Sequence, residues 1–178
     1  MNHKFELGRL FGLEISAKSS ALVGFIVVWI VLSAIGLFLL KLSPIESFVG
    51  GFIGACLHWL SELIHNFGHA IAAQRTGYPM SGIRFANVLG FSRYPKDEPP
   101  LPAQIHIRRA LGGPAISFVV TIIALLILLA VQNGGGLAFW LAVWFFLDNL
   151  LVFSLGALLP LGFTDGSTLV KYWGRHSS

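Results

Sequence analysis

His65 and His69 stand four residues apart in Leu60-Ser61-Glu62-Leu63-Ile64-His65-Asn66-Phe67-Gly68-His69-Ala70. On an α-helix that spacing puts both imidazoles on one face, about 6 Å apart along the axis. Two histidines so placed can hold one zinc ion from one side. The bland alternative is a pair of packed, hydrogen-bonded histidines. Their setting argues for a task, because the pair ends a long apolar run, where a polar side chain is costly in lipid. Glu62 lies one turn before His65 and shares its face, as does His58. Glu62 could hold a histidine in its metal-binding tautomer or take a proton from water. His58 is expected to make an interhelical hydrogen bond rather than to ligate metal.

The elements that must position these residues are membrane spans. The chain has 178 residues, 55% of them hydrophobic and 11% charged, with a mean hydropathy of +0.76. Soluble domains carry about 25% charge, and several apolar runs here approach the ~20 residues that cross a bilayer. The composition predicts one all-α membrane domain over 1–178, with four transmembrane helices at roughly 20–41, 48–73, 112–131 and 137–161. Residues 1–19 are too charged for a signal-peptide core, and no small-residue cleavage site follows. They read as an amphipathic interfacial segment with short strand character. Pro44 can stop one helix and start the next. Ile83 to Phe91, in the polar loop after the second span, could form a short β-hairpin at the membrane edge. Pro95, Pro99, Pro100 and Pro102 make the rest of that loop extended.

Arg75, Arg84, Arg93, Lys96, Arg108 and Arg109 follow the second span, Lys4, Arg9 and Lys18 precede the first, and Lys171 and Arg175 follow the fourth. The opposite side has only Lys41. The positive-inside rule then makes both termini and the large loop cytoplasmic. The net charge of +4 is a topology signal; no basic cluster interleaved with aromatics points to nucleic acid. Cys56, the single cysteine, excludes an internal disulfide and reads as inert packing.

A catalytic zinc needs a third protein ligand and an open position. Glu62, Asp148 and Asp165 are the acidic residues within or at the ends of spans two to four. Asp165 is the best placed. It follows a Pro-Leu-Gly break, and spans two and four run in the same direction, so it can meet the histidines at one depth. Asp148 and Asn149 are expected to bond across helices.

At this point the chain resembles the site-2 protease family of intramembrane zinc metalloproteases. His65-Asn66-Phe67-Gly68-His69-Ala70 is similar to the family's HExGHA helix. Leu7–Leu13, Ala72–Gly77 and Leu111-Gly112-Gly113-Pro114 resemble its lead-in, its segment after the zinc helix and the Gly-Pro opening of its third core helix. Leu158–Gly166 resembles its C-terminal Asp-Gly element. The resemblance implies His65, His69 and Asp165 as ligands of Zn2+, and hydrolysis of peptide bonds in transmembrane substrates within the bilayer. Three positions depart from the pattern. The general-base glutamate is Asn66, an amide that cannot take a proton at neutral pH. The family's substrate-positioning Asn falls on Ala157, and the usual Pro-Leu before Asp-Gly is Phe163-Thr164. Asn66 marks either a protease that uses Glu62 as a substitute base or a non-proteolytic pseudoprotease, natural or disabled, that binds metal and a membrane partner. A small metal- or haem-binding protein using His58, His65 and His69 ranks last.

Overall fold

The computed structural model describes residues 4–174; Arg175 lies outside them. Four of its helices are long and apolar enough to cross a membrane. The first, α1, runs Ser19–Ala34 and continues as a π-helical turn over Ile35–Leu39. The second, α2 (Pro44–Arg75), is the longest at 32 residues. It starts earlier than the apolar run does, because Ser43 and Glu46 form a capping box and Pro44 takes the first helical position.

The third, α3, runs Ala103–Val131. Its start also precedes the expected boundary, so Leu111-Gly112-Gly113-Pro114 lies inside the helix instead of opening it. Apolar content marks only the part of a helix that meets lipid; Arg108 and Arg109 extend this one past that part. The fourth, α4, is regular over Gly136–Leu147, π-helical over Asp148–Leu155 and ends as a 3-10 turn at Leu158. It stops short of Leu161 because Pro160 disfavours helical backbone at Leu159, which is extended. A short helix, α5, follows at Asp165–Tyr172.

The all-α expectation is incomplete. A four-stranded sheet stands beside the bundle, with strands β1 (Lys4–Leu10), β2 (Leu13–Lys18), β3 (Gly82–Ala86) and β4 (Leu89–Arg93) adjacent in that order. β1 and β2 pair antiparallel, β2 and β3 parallel, and β3 and β4 antiparallel through a turn at Asn87 and Val88. The parallel pairing joins segments 68 residues apart (Ile15 to Ile83), which no local pattern announces. Leu13, Ile15, Ile83 and Phe85 pack with Ala21, Ala73 and Met80 into the main buried apolar cluster.

Within the bundle the burial pattern is that of a membrane protein. Ala55, Ala124, Ser61, Ser117 and Asn149 are buried, whereas Val23, Ile30, Phe48, Leu126 and Leu151 are exposed. Lipid tails are as apolar as leucine, so large side chains gain nothing by turning inward, and small ones let helices approach. Cys56, expected as packing, is exposed. α2 and α3 cross closely: a Cβ on Gly68 would lie 2.3 Å from the Gly112 carbonyl oxygen. That contact sets the histidine face of α2 directly against the Gly113 turn of α3.

Candidate metal centre

α2 carries His65 and His69, both buried. Asp165, the first residue of α5, is carried back to them by the break after Pro160. Gly162 takes φ +90 there, and Gly166 packs so close to the end of α4 that a Cβ would meet the Leu158 carbonyl. The Asp165 carboxylate lies 3.2 Å from His65 Nε2 through Oδ2 and 3.3 Å from His69 Nε2 through Oδ1. The two Nε2 atoms are 3.1 Å apart. Among the described residues, these three form the group whose ligand atoms, all within 4.8 Å of one another, could hold a metal ion.

The far side of each ring decides what the near side can do. His69 Nδ1 is 2.8 Å from the Arg109 carbonyl oxygen, which can only accept, so Nδ1 carries the proton and Nε2 presents a lone pair. The Gly113 N–H also faces Nδ1, from 3.3 Å, but the carbonyl is the nearer partner. His65 Nδ1 is 2.9 Å from Ser117 Oγ, which can accept in the same way. With His65 in the same tautomer, two lone pairs and a carboxylate converge, an arrangement that a cation stabilises. Only glycine leaves the nitrogens uncrowded: a Cβ added at Gly113 would lie 2.4 Å from His69 Nε2 and 2.5 Å from His65 Nε2. A His-His-Asp set in a notch kept open by glycine fits zinc, which takes imidazole and carboxylate ligands. Second partners of this kind fix the ligand tautomer.

Asn66 and Glu62 sit on the same helix and turn toward β4. Asn66 Nδ2 donates to the Glu62 carbonyl at 3.0 Å and to Glu62 Oε1 at 3.3 Å, and Asn66 Oδ1 accepts from Ser92 Oγ at 3.0 Å. Glu62 Oε1 also accepts from the Gly90 N–H at 2.5 Å. One turn earlier, His58 Nε2 meets the Val88 carbonyl oxygen at 3.1 Å. Helix residues 58, 62 and 66 therefore bind residue 88 of the β3–β4 turn and residues 90 and 92 of β4. Four helical residues rise about 6 Å and two strand residues about 6.6 Å, so the two elements stay in step. Gly90 is required at this contact, since a Cβ there would lie 2.7 Å from Asn66 Nδ2. Glu62 Oε2 makes no hydrogen bond to any described residue, and Glu62 lines the same cavity of about 580 Å³ as His65, His69 and Asp165. Leu89, Phe91, Val152, Phe153 and Ala157 form its apolar wall.

His58 Nδ1 lies 3.1 Å from both carboxylate oxygens of Asp148, and Asn149 Nδ2 donates to Ser61 Oγ at 2.9 Å. Both α4 residues thus bond across to α2, as expected from the sequence. Ser117, Gly90, Ser92 and the Arg109 carbonyl were not singled out by sequence, and Gly113 only as part of Leu111-Gly112-Gly113-Pro114. Ser117 carried a signal, being a hydroxyl inside an apolar span. At the cavity rim the Arg109 guanidinium binds Glu98 and holds its carboxyl below the usual carboxylate range, while burial pushes the Tyr94 hydroxyl up to about 12.

No protein-family model matches this chain, and no curated protein matches it in sequence. Among solved structures it is similar to the site-2 protease from Methanocaldococcus jannaschii, with a TM-score of 0.63 and 20% identity over 95% of this chain and 70% of that one. At that identity the likeness is one of fold: this chain has a site-2-protease-like membrane fold.

Proposed function

We propose that the chain is a zinc-binding intramembrane metallohydrolase that cuts peptide bonds of transmembrane segments. The observation that carries this is the convergence of His65, His69 and Asp165 on the Gly113 notch. Zinc bound there would act as a Lewis acid on a scissile carbonyl and make bound water acidic. Glu62 is the proton acceptor in this reading. It is a carboxylate with one oxygen free of hydrogen bonds among the described residues, and it borders the same cavity. Asn66 holds Glu62 and Ser92 and takes no proton. The substrate is a membrane helix that must unwind to enter, because a helical backbone hides its carbonyls, and the apolar cavity wall receives its side chains. Both termini and the loop joining α2 to α3 face the cytoplasm, on the strength of the loop charges.

A second reading is a non-proteolytic relative that binds metal and a membrane partner. It is favoured by Asn66, whose amide has both ends occupied. Two measurements separate these. Purified chain should hold about one zinc per molecule, and His65→Ala should lose it; zinc-free wild type would end both readings. Wild type should cleave a model transmembrane peptide and Glu62→Gln should not. Cleavage by Asn66→Glu alone would establish the second reading.

A further inference from the structure

Arg109 is 4% exposed, an unusual position for a guanidinium. Its partners account for it. Nη1 donates to Glu98 Oε2 at 2.9 Å, Nη2 donates to Glu98 Oε1 and to the Tyr78 carbonyl, and the guanidinium carbon lies 4.2 Å from the centre of the Tyr94 ring. The segment 94–102 contains Pro95, Pro99, Pro100 and Pro102. It has little freedom of its own and is tied to α3 at Glu98. On its backbone side, the same Arg109 supplies the carbonyl that takes the His69 Nδ1 proton. One turn on, its helix supplies the Gly113 notch. A bidentate carboxylate–guanidinium pair has one geometry, so the carbonyl below it is held in one place.

We propose that Arg109 is a positioning residue for the metal site, and that the 94–102 segment acts on the metal through it. The proposal rests on the zinc-binding reading above. The chain of contacts runs from Glu98 to the Arg109 side chain, from the Arg109 carbonyl to His69, and from His69 Nε2 to the metal. Loss of the Glu98 anchor lets the first turns of α3 shift and weakens the carbonyl's hold on the tautomer of His69. By linkage the coupling runs both ways: metal must steady the segment by the factor by which the segment strengthens metal binding.

The test uses the full chain in detergent or nanodiscs. Zinc affinity is measured by competition with a chelator, and the ligand field by the absorption of the cobalt-substituted protein. Glu98→Ala and Arg109→Lys should each weaken zinc by about tenfold, the lower end for loss of an outer partner of a metal ligand. Both should shift the cobalt bands, which a purely structural role would leave alone. Asp97→Asn, an exposed neighbour on the same segment, should do neither. In wild type, zinc should slow tryptic cleavage at exposed Lys96, a readout that stays valid if a variant misfolds. Wild type that binds zinc, with zinc affinity unchanged in Glu98→Ala or Lys96 cleavage indifferent to zinc, overturns this proposal alone. Wild type that binds no zinc overturns it together with the reading it rests on.

Discussion

Two histidine–aspartate groups lie in the same bundle, about two turns apart on the same face of α2. His58 meets Asp148 at 3.1 Å, and His65 and His69 meet Asp165 at 3.2 and 3.3 Å. Residue types and distances are alike, yet the groups can do different things. His58 has an oxygen acceptor on each side, the Val88 carbonyl at Nε2 and the carboxylate at Nδ1. Nε2 must carry a proton, so Nδ1 faces Asp148 alone, with no second histidine nitrogen converging on the same carboxylate. The Asp148 side chain is 1% exposed, so the pair is closed. In the other group Ser117 and the Arg109 carbonyl take the outer ring nitrogens, the inner ones converge, and the Asp165 side chain is 18% exposed beside a cavity. Whether a second ring nitrogen converges on the same carboxylate, and whether a glycine leaves the ligand atoms uncrowded, separates a closed pair from a group that could hold a metal.

That contrast can be broken most sharply at Gly113. Gly113→Ala places a Cβ 2.4 and 2.5 Å from the Nε2 atoms of His69 and His65, which must then move apart, and zinc affinity should fall by at least the ~100-fold that marks the upper end for loss of an outer partner, as read by chelator competition. The helical circular dichroism should stay unchanged. Next comes a double contrast between the aspartates. Asp148→Ala leaves His58 buried without its counter-charge and should cost about 3–5 kcal/mol of stability, measured by denaturant unfolding in micelles, with zinc retained in the folded fraction. Asp165→Asn should lose zinc with little effect on apoprotein stability. If both variants behave alike, the distinction between the two groups is wrong.

A finer test is Ser117→Ala, which removes the outer partner of His65 and should weaken zinc by about tenfold while leaving the His58 group untouched. The smallest effect concerns the rim. Arg109 holds the Glu98 carboxyl below its ordinary value. The pair's contribution is therefore complete above the ordinary glutamate value of about 4.3 and is lost as pH falls through the lowered folded value. Acid unfolding of wild type should show this loss, and Glu98→Gln should flatten the profile in that window.

Much of this was legible in one dimension. The spans follow from the length of apolar runs, and the histidine face of α2 from a spacing of four. That Asp165 could meet that face followed from chain direction alone. Boundaries were less legible where helices outrun the lipid, as at Pro44 and Ala103. The sheet was only half visible, because the pairing of β2 with β3 joins distant segments through backbone groups that every residue carries.

The sequence by itself determined that this is a four-span membrane chain with a histidine pair and an aspartate at matching depth. Lipid taxes every unpaired polar group and helical spacing is local, so those features are written in residue order. Tertiary structure alone decided that two histidines share one carboxylate beside a cavity while the third is closed on another, since that depends on where α2, α3, α4 and α5 meet. Every residue carries a backbone carbonyl, and a glycine in the sequence does not say what will pack against it; their effect exists only once two helices cross at a particular place.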